Sequence, residues 1–169
     1  MENYEIIIII GQSGSGKTTL AKEILGEIIK SKKDIVKITE CKNYTGIGDY
    51  TGQKREKGTD TLPYNSTNNI IKQIKKLNKQ GIPVLLEGDR ITNKTIFEEI
   101  KYIGAKTKLF LVTCSLRTSM ERLKKGGSKI KPPFLKMTKT KSRNLFIEYK
   151  DIFHGEIINT EGYNENEKL

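Results

Sequence analysis

Residues 6–18 read Ile-Ile-Ile-Ile-Ile-Gly-Gln-Ser-Gly-Ser-Gly-Lys-Thr, and this stretch decides the fold. Five consecutive isoleucines suit a strand buried on both faces of a parallel sheet, where neither side of the chain meets water. Gly11-Gln12-Ser13-Gly14-Ser15-Gly16-Lys17-Thr18 satisfies the spacing G-x-x-x-x-G-K-[ST] in full. Its glycines let successive N–H groups turn inward around phosphate oxygens, because no Cβ obstructs the turn. A helix beginning at Lys17 adds the positive end of its dipole at the same point. Lys17 is placed to reach the β- and γ-phosphates and Thr18 to hold Mg²⁺ through its hydroxyl, with Thr19 next in the binding segment. The stretch predicts a nucleoside triphosphate site, with ATP and Mg²⁺ as its ligands.

Outward from that point, apolar spacing alternates between helix and strand. A helix is expected over Lys17–Lys30, with Leu20, Ile24, Leu25 and Ile28 as its apolar stripe. A strand follows at Asp34–Thr39, and Glu40–Ser66 reads as a long, polar, Gly-rich loop. Thr67–Gln80 is helical up to the stop at Gly81, Ile82–Leu86 is a strand, and Thr92–Gly104 is a helix. Lys108–Cys114 is a strand, Ser115 caps a helix running to Lys125, and Gly126–Met137 with Pro132-Pro133 reads as a loop. Thr138–Lys150 is helical, Glu156–Asn159 adds a short strand, and a polar tail occupies 161–169. The alternation predicts an α/β fold of the P-loop NTPase type, a single domain over 1–169. Its parallel sheet has about five strands, with helices on both faces.

Composition narrows the class. With 35% apolar residues and long runs such as Ile6–Ile10, the chain has material for a core, and no apolar stretch is long enough to span a membrane. Met1-Glu2-Asn3-Tyr4-Glu5 is acidic where a secretory signal is basic, and Cys41 and Cys114 are too few for a disulfide scaffold. The expected location is the cytoplasm. Net charge is +11, and it is concentrated: Ser115–Arg143 holds ten basic residues and one acidic, +9 in all. Such a field attracts polyanions.

The remaining motifs separate a switch from a kinase. Asp49-Tyr50-Thr51-Gly52 has the D-x-x-G spacing of a GTPase switch, but no buried strand is expected before it and no N-K-x-D motif occurs, so the match reads as accidental. A kinase needs an acceptor pocket, an acid or base near the acceptor hydroxyl, and cations over the phosphates. Glu87-Gly88-Asp89-Arg90 stands at the carboxyl end of an expected strand, where ligands bind in open α/β sheets. Glu87 suits Mg²⁺ or the acceptor proton, Asp89 the same role, and Arg90 an acceptor phosphate. Asp60, in Gly58-Thr59-Asp60, is a further acceptor contact. The basic segment 115–143 takes the place of a lid, with Arg117, Arg122, Lys139, Lys141 and Arg143 as its phosphate-facing cations.

Gly11–Thr18, Gly58-Thr59-Asp60, Glu87-Gly88-Asp89-Arg90 and Lys139-Thr140-Lys141 together resemble the small P-loop kinases of bacterial viruses. That resemblance implies phosphorylation of 5-hydroxymethyl pyrimidines in DNA, with modified DNA as partner. Thr61-Leu62-Pro63 departs from the family pattern in the acceptor loop. Asp89-Arg90 is also similar to thymidylate-type kinases, which leaves a free deoxynucleotide as the alternative acceptor. A nucleotide-binding module without catalysis is the third reading. Ten cations in 29 residues exceed what a mononucleotide needs and favour the DNA acceptor, most simply 5-hydroxymethyluracil. Tyr44, Tyr50, Tyr64 and Phe134 are available as stacking residues in loops, whereas Cys114 and His154 read as core and surface.

Overall fold

β1 (Ile6–Ile10) runs through the sheet with all five isoleucines buried, paired in parallel with β5 (Val84–Glu87) on one side and β6 (Thr107–Thr113) on the other. The computed structural model describes residues 3–52 and 57–162. The other elements are α1 (Lys17–Leu25), β2 (Ile28–Lys33), β3 (Lys37–Cys41), β4 (Thr45–Ile47), a 3₁₀ turn (Thr59–Thr61), α2 (Thr67–Lys79), α3 (Lys94–Ile103), α4 (Leu116–Lys125), α5 (Pro132–Tyr149) and β7 (Glu156–Asn159). Strand order is β2-β3-β4-β5-β1-β6-β7.

The period of two in β1 sends its isoleucines alternately into two cores. Ile6, Ile8 and Ile10 join a cluster with Ile70 and Ile74 of α2, Phe97 and Ile100 of α3, and Leu145 and Tyr149 of α5. Ile7 and Ile9 join Ala21, Ile24 and Leu25 of α1 on the opposite face. Each buried isoleucine contributes about 1.5–3 kcal/mol, so β1 anchors the loop that follows it. Asn93 and Ser115 cap α3 and α4, accepting from Ile96 N–H and Thr118 N–H.

The sheet corrects the expectation of five parallel strands. Five strands are parallel (β4, β5, β1, β6, β7), but β2 and β3 extend them in antiparallel pairing to seven. The first helix stops at Leu25 because Gly26, at φ 74°, turns the chain into β2, which leaves Ile28 half-exposed instead of in the stripe. The strand expected at Asp34–Thr39 begins three residues later, at Lys37, and ends at Cys41, so Cys41 is a buried strand residue. The expected loop 40–66 contains β4, whose three residues, Thr-Gly-Ile, are too few for a periodic signal. α5 begins at Pro132 because prolines in a first helical turn surrender no hydrogen bond. Of the tail expected at 161–169, residues 163–169 lie outside the described ones. Among the described residues, no helix is long and apolar enough to cross a membrane.

Candidate active site

The phosphate-type loop connects β1 to α1. Gly11 has φ +148°, and a Cβ there would run into the Val112 carbonyl of β6, so only glycine permits this exit from the strand. Gln12 is buried and donates to Cys114 O at 2.9 Å and Ser119 Oγ at 3.2 Å, which pins the loop to β6 and α4. Its own carbonyl accepts from Lys17 Nζ at 2.9 Å, folding the lysine over the loop. Ser13, Gly14 and Ser15 complete the curve, and Gly16 starts α1 in the left-handed region without a side-chain cap. Ser15 Oγ is a buried oxygen without a hydrogen-bond partner among the described residues. An orphaned hydroxyl beside uncapped helical N–H groups is a cradle that fits phosphate oxygens. Thr19 is exposed on the first turn of α1.

Glu87 ends β5 directly across from α1 and is 2% exposed. The Thr18 hydroxyl donates to Glu87 Oε1 at 3.1 Å, and the Tyr50 hydroxyl donates to Glu87 Oε2 at 3.3 Å. Burial pushes the Glu87 carboxyl up to about 7, against the attraction of Lys17 and helped by the charge of Asp60. Burial also drives the Tyr50 phenol well above its ordinary value, so that hydroxyl remains a donor. Thr18 and Glu87 offer the hard oxygen donors that Mg²⁺ takes. Among the described residues no group of three or more His, Cys, Asp or Glu could hold a metal.

The motifs expected on the acceptor side converge on the same point. Gly58 packs so closely that a Cβ there would stand 2.6 Å from the Tyr50 hydroxyl and 2.7 Å from Glu87 Oε2. Thr59 Oγ1 donates to Glu87 O at 2.7 Å, and Asp60 Oδ1 accepts from Asp89 N–H at 2.8 Å. Burial raises the Asp60 carboxyl, opposed by that hydrogen bond. Arg90 donates through Nε to Leu62 O at 3.2 Å and lies 3.7 Å above the centre of the Tyr64 ring.

The basic segment is α4, a connection at 126–131, and the start of α5. Arg122 donates to Gly14 O at 3.2 Å and Thr160 O at 2.7 Å, and Lys139 donates to Cys114 O at 2.8 Å, so these two reach the loop's rim. Arg117 does not: it is exposed and paired with Glu121 at 3.0 Å. Lys141 and Arg143 are exposed on α5.

The sequence offers Tyr50 only as a stacking aromatic and gives no sign of its contact with Glu87. The D-x-x-G segment does follow a buried strand, β4, contrary to expectation. Asp49 is nevertheless taken up by Lys37 at 2.6 Å and by the N–H and hydroxyl of Thr51. Of the four aromatic candidates for stacking, Tyr44 and Tyr50 are buried, Phe134 lies in the first turn of α5, and Tyr64 alone is largely exposed.

Residues 2–131 match the family described as zeta toxin. A putative bifunctional polynucleotide kinase/RNA ligase of Autographa californica nuclear polyhedrosis virus is 27% identical over 160 residues, covering 88% of this chain and 23% of that protein. The chain therefore spans about a quarter of the length of that curated relative. A solved deoxyadenosine kinase from M. mycoides, with dCMP and a flexible dCDP bound, matches at TM-score 0.45 and 14% identity, over 90% of this chain and 89% of that one.

Proposed function

The chain belongs to the zeta toxin family and is an enzyme of the P-loop phosphotransferase class; from that footing we propose that it transfers the γ-phosphate of ATP to a hydroxyl carried by a free nucleotide. The observation that carries this reading is Asp60, a half-buried carboxylate fixed by Asp89 N–H beside the Thr18–Glu87 pair. It supplies a proton acceptor next to a phosphate cradle. In the transfer, the acceptor oxygen forms a bond to the γ-phosphorus while the bond from that phosphorus to the β,γ-bridging oxygen breaks, and ADP leaves. The acceptor proton passes to Asp60. Lys17 and Arg122 face the charge that spreads over the phosphoryl oxygens. Thr18 and Glu87 would hold Mg²⁺, which would supply charge neutralisation at the phosphates. Arg90, backed by Tyr64, takes an anionic group of the acceptor.

A free acceptor is supported by where the cations point. Arg122 and Lys139 turn to the loop's rim, and Arg117 is paired with Glu121, so part of the +9 belongs to the site itself. One observation favours a second reading, a hydroxymethylated pyrimidine in DNA. Lys124, Lys125, Lys129, Lys131, Lys136, Lys141 and Arg143 stay exposed along α4, the connection after it and α5, as a polymeric phosphate backbone requires.

Transfer of label from γ-labelled ATP is the test. Free nucleosides and nucleotides, unmodified DNA, DNA containing 5-hydroxymethyluracil, and oligonucleotides with a free 5′-hydroxyl are offered side by side. Label in free nucleotides is the expected result. Label confined to modified DNA would establish the second reading, and ATP binding without any transfer would sink both.

A further inference from the structure

Tyr50 belongs to the segment whose spacing resembles a switch and performs no such role, yet the surrounding chain is shaped around it. Its ring is buried in the α1-side core with Leu25, Cys41 and Leu85. β4 carries no side chain where the ring passes: a Cβ on Gly46 would stand 2.6 Å from Tyr50 Cε2. Gly58 leaves equivalent room beside the phenol oxygen. The Tyr50 N–H donates to Thr39 Oγ1 at 3.1 Å, and that hydroxyl donates to Gly48 O at 2.9 Å, so the backbone beneath the ring is held as well.

Packing alone does not call for the hydroxyl. Phenylalanine has the same ring and would fill the same space, and a buried hydroxyl is unfavourable unless it is hydrogen-bonded. The bond it makes is to Glu87 Oε2, at 3.3 Å, while Glu87 Oε1 receives Thr18 at 3.1 Å. A glutamate carboxylate turns broadly about its last torsion. Held at both oxygens, this one has a single orientation. From this geometry we infer that Tyr50 is a positioning residue, whose hydroxyl turns the Glu87 carboxylate so that its other oxygen faces Thr18 and the metal side of the phosphate loop. The inference rests on the proposed function only in taking Thr18 and Glu87 as the Mg²⁺ side of the site. It extends the machinery to a residue from the segment after β4.

Tyr50→Phe removes one oxygen and keeps the ring. The affinity of the variant for a fluorescent ATP analogue is titrated with and without Mg²⁺, alongside thermal melting. The expected result is an unchanged melt, an unchanged metal-free affinity, and a gain on adding Mg²⁺ that is about tenfold smaller than in wild type. An undiminished gain in the folded variant would overturn the inference. So would an equal loss with and without Mg²⁺, which marks a packing role, or a wild type with no Mg²⁺-dependent gain. A second measurement does not depend on the single variant: in a Glu87→Gln background, Tyr50→Phe should cause no further loss of that gain, and a full additional tenfold loss would count against coupling through the carboxylate. If wild type phosphorylates no acceptor, the proposed function fails while these binding titrations still decide the role of Tyr50.

Discussion

Asp60 and Asp89 stand 29 residues apart, yet the backbone N–H of Asp89 donates to Asp60 Oδ1 at 2.8 Å. This bond clips the turn before α2 onto the carboxyl end of β5. In this bond Asp60 contributes its half-buried carboxylate and Asp89 its backbone.

Replacing each aspartate tests that division. Asp60→Asn keeps an oxygen for the Asp89 N–H and removes the proton acceptor, so turnover should fall by about 10²–10⁴-fold with the fold preserved. Asp89→Asn should cost far less. Initial rates for both variants, with melting curves as control, decide the matter, and the opposite ranking would transfer the base to Asp89.

Lys17→Ala should lower turnover by at least about a hundredfold. Its ammonium reaches over the loop to Gln12 O and contributes little to the core, so circular dichroism should be unchanged. A folded variant with wild-type rates would remove Lys17 from the site.

Glu87 links stability to pH with a definite sign. Its carboxyl is raised from an ordinary 4.5 to about 7 in the folded chain. Between those values the folded state keeps a proton that the unfolded chain has released. Stability is therefore fully present below pH 4.5 and falls as pH rises through about 7, by on the order of 3 kcal/mol. Denaturant titrations of nucleotide-free protein at pH 5 and pH 7.5 should show this fall in wild type, and Glu87→Gln should abolish it. A pH-independent wild type would contradict the burial of an ionisable carboxyl at this position.

The basic segment separates the two acceptors. Lys129, Lys131 and Lys136 are exposed and distant in sequence from the loop. Replacing all three by Ala should leave ATP affinity unchanged. If DNA is the acceptor, the same change should weaken DNA binding and reduce the log–log salt slope by about 2–3. Salt-dependent binding of a short duplex, measured by anisotropy, checks this. For a free-nucleotide kinase, DNA binding should be weak in wild type already.

Much of the molecule was legible in the chain because its signals are local. Ile6–Ile10 and the glycine spacing after it identify a buried strand, a phosphate-type loop and a helix, since each rests on neighbouring residues and backbone freedom. Glu87, Asp89 and Arg90 were placed at a strand's carboxyl end by the same local reading. What only the tertiary structure decided depends on pairing between distant segments. β4 is three residues long and exists because β5 and β3 supply its hydrogen bonds. The β2–β3 extension depends on Gly26 turning the chain out of α1, a conformational choice that helical periodicity does not display. Basic residues that look alike in sequence differ once α4 and α5 are packed: Arg122 and Lys139 meet the loop's rim, and Arg117 meets Glu121. Tyr50 is the sharpest case. Its importance lies in one hydroxyl 3.3 Å from a carboxylate 37 residues away, and no spacing along the chain records a distance through space.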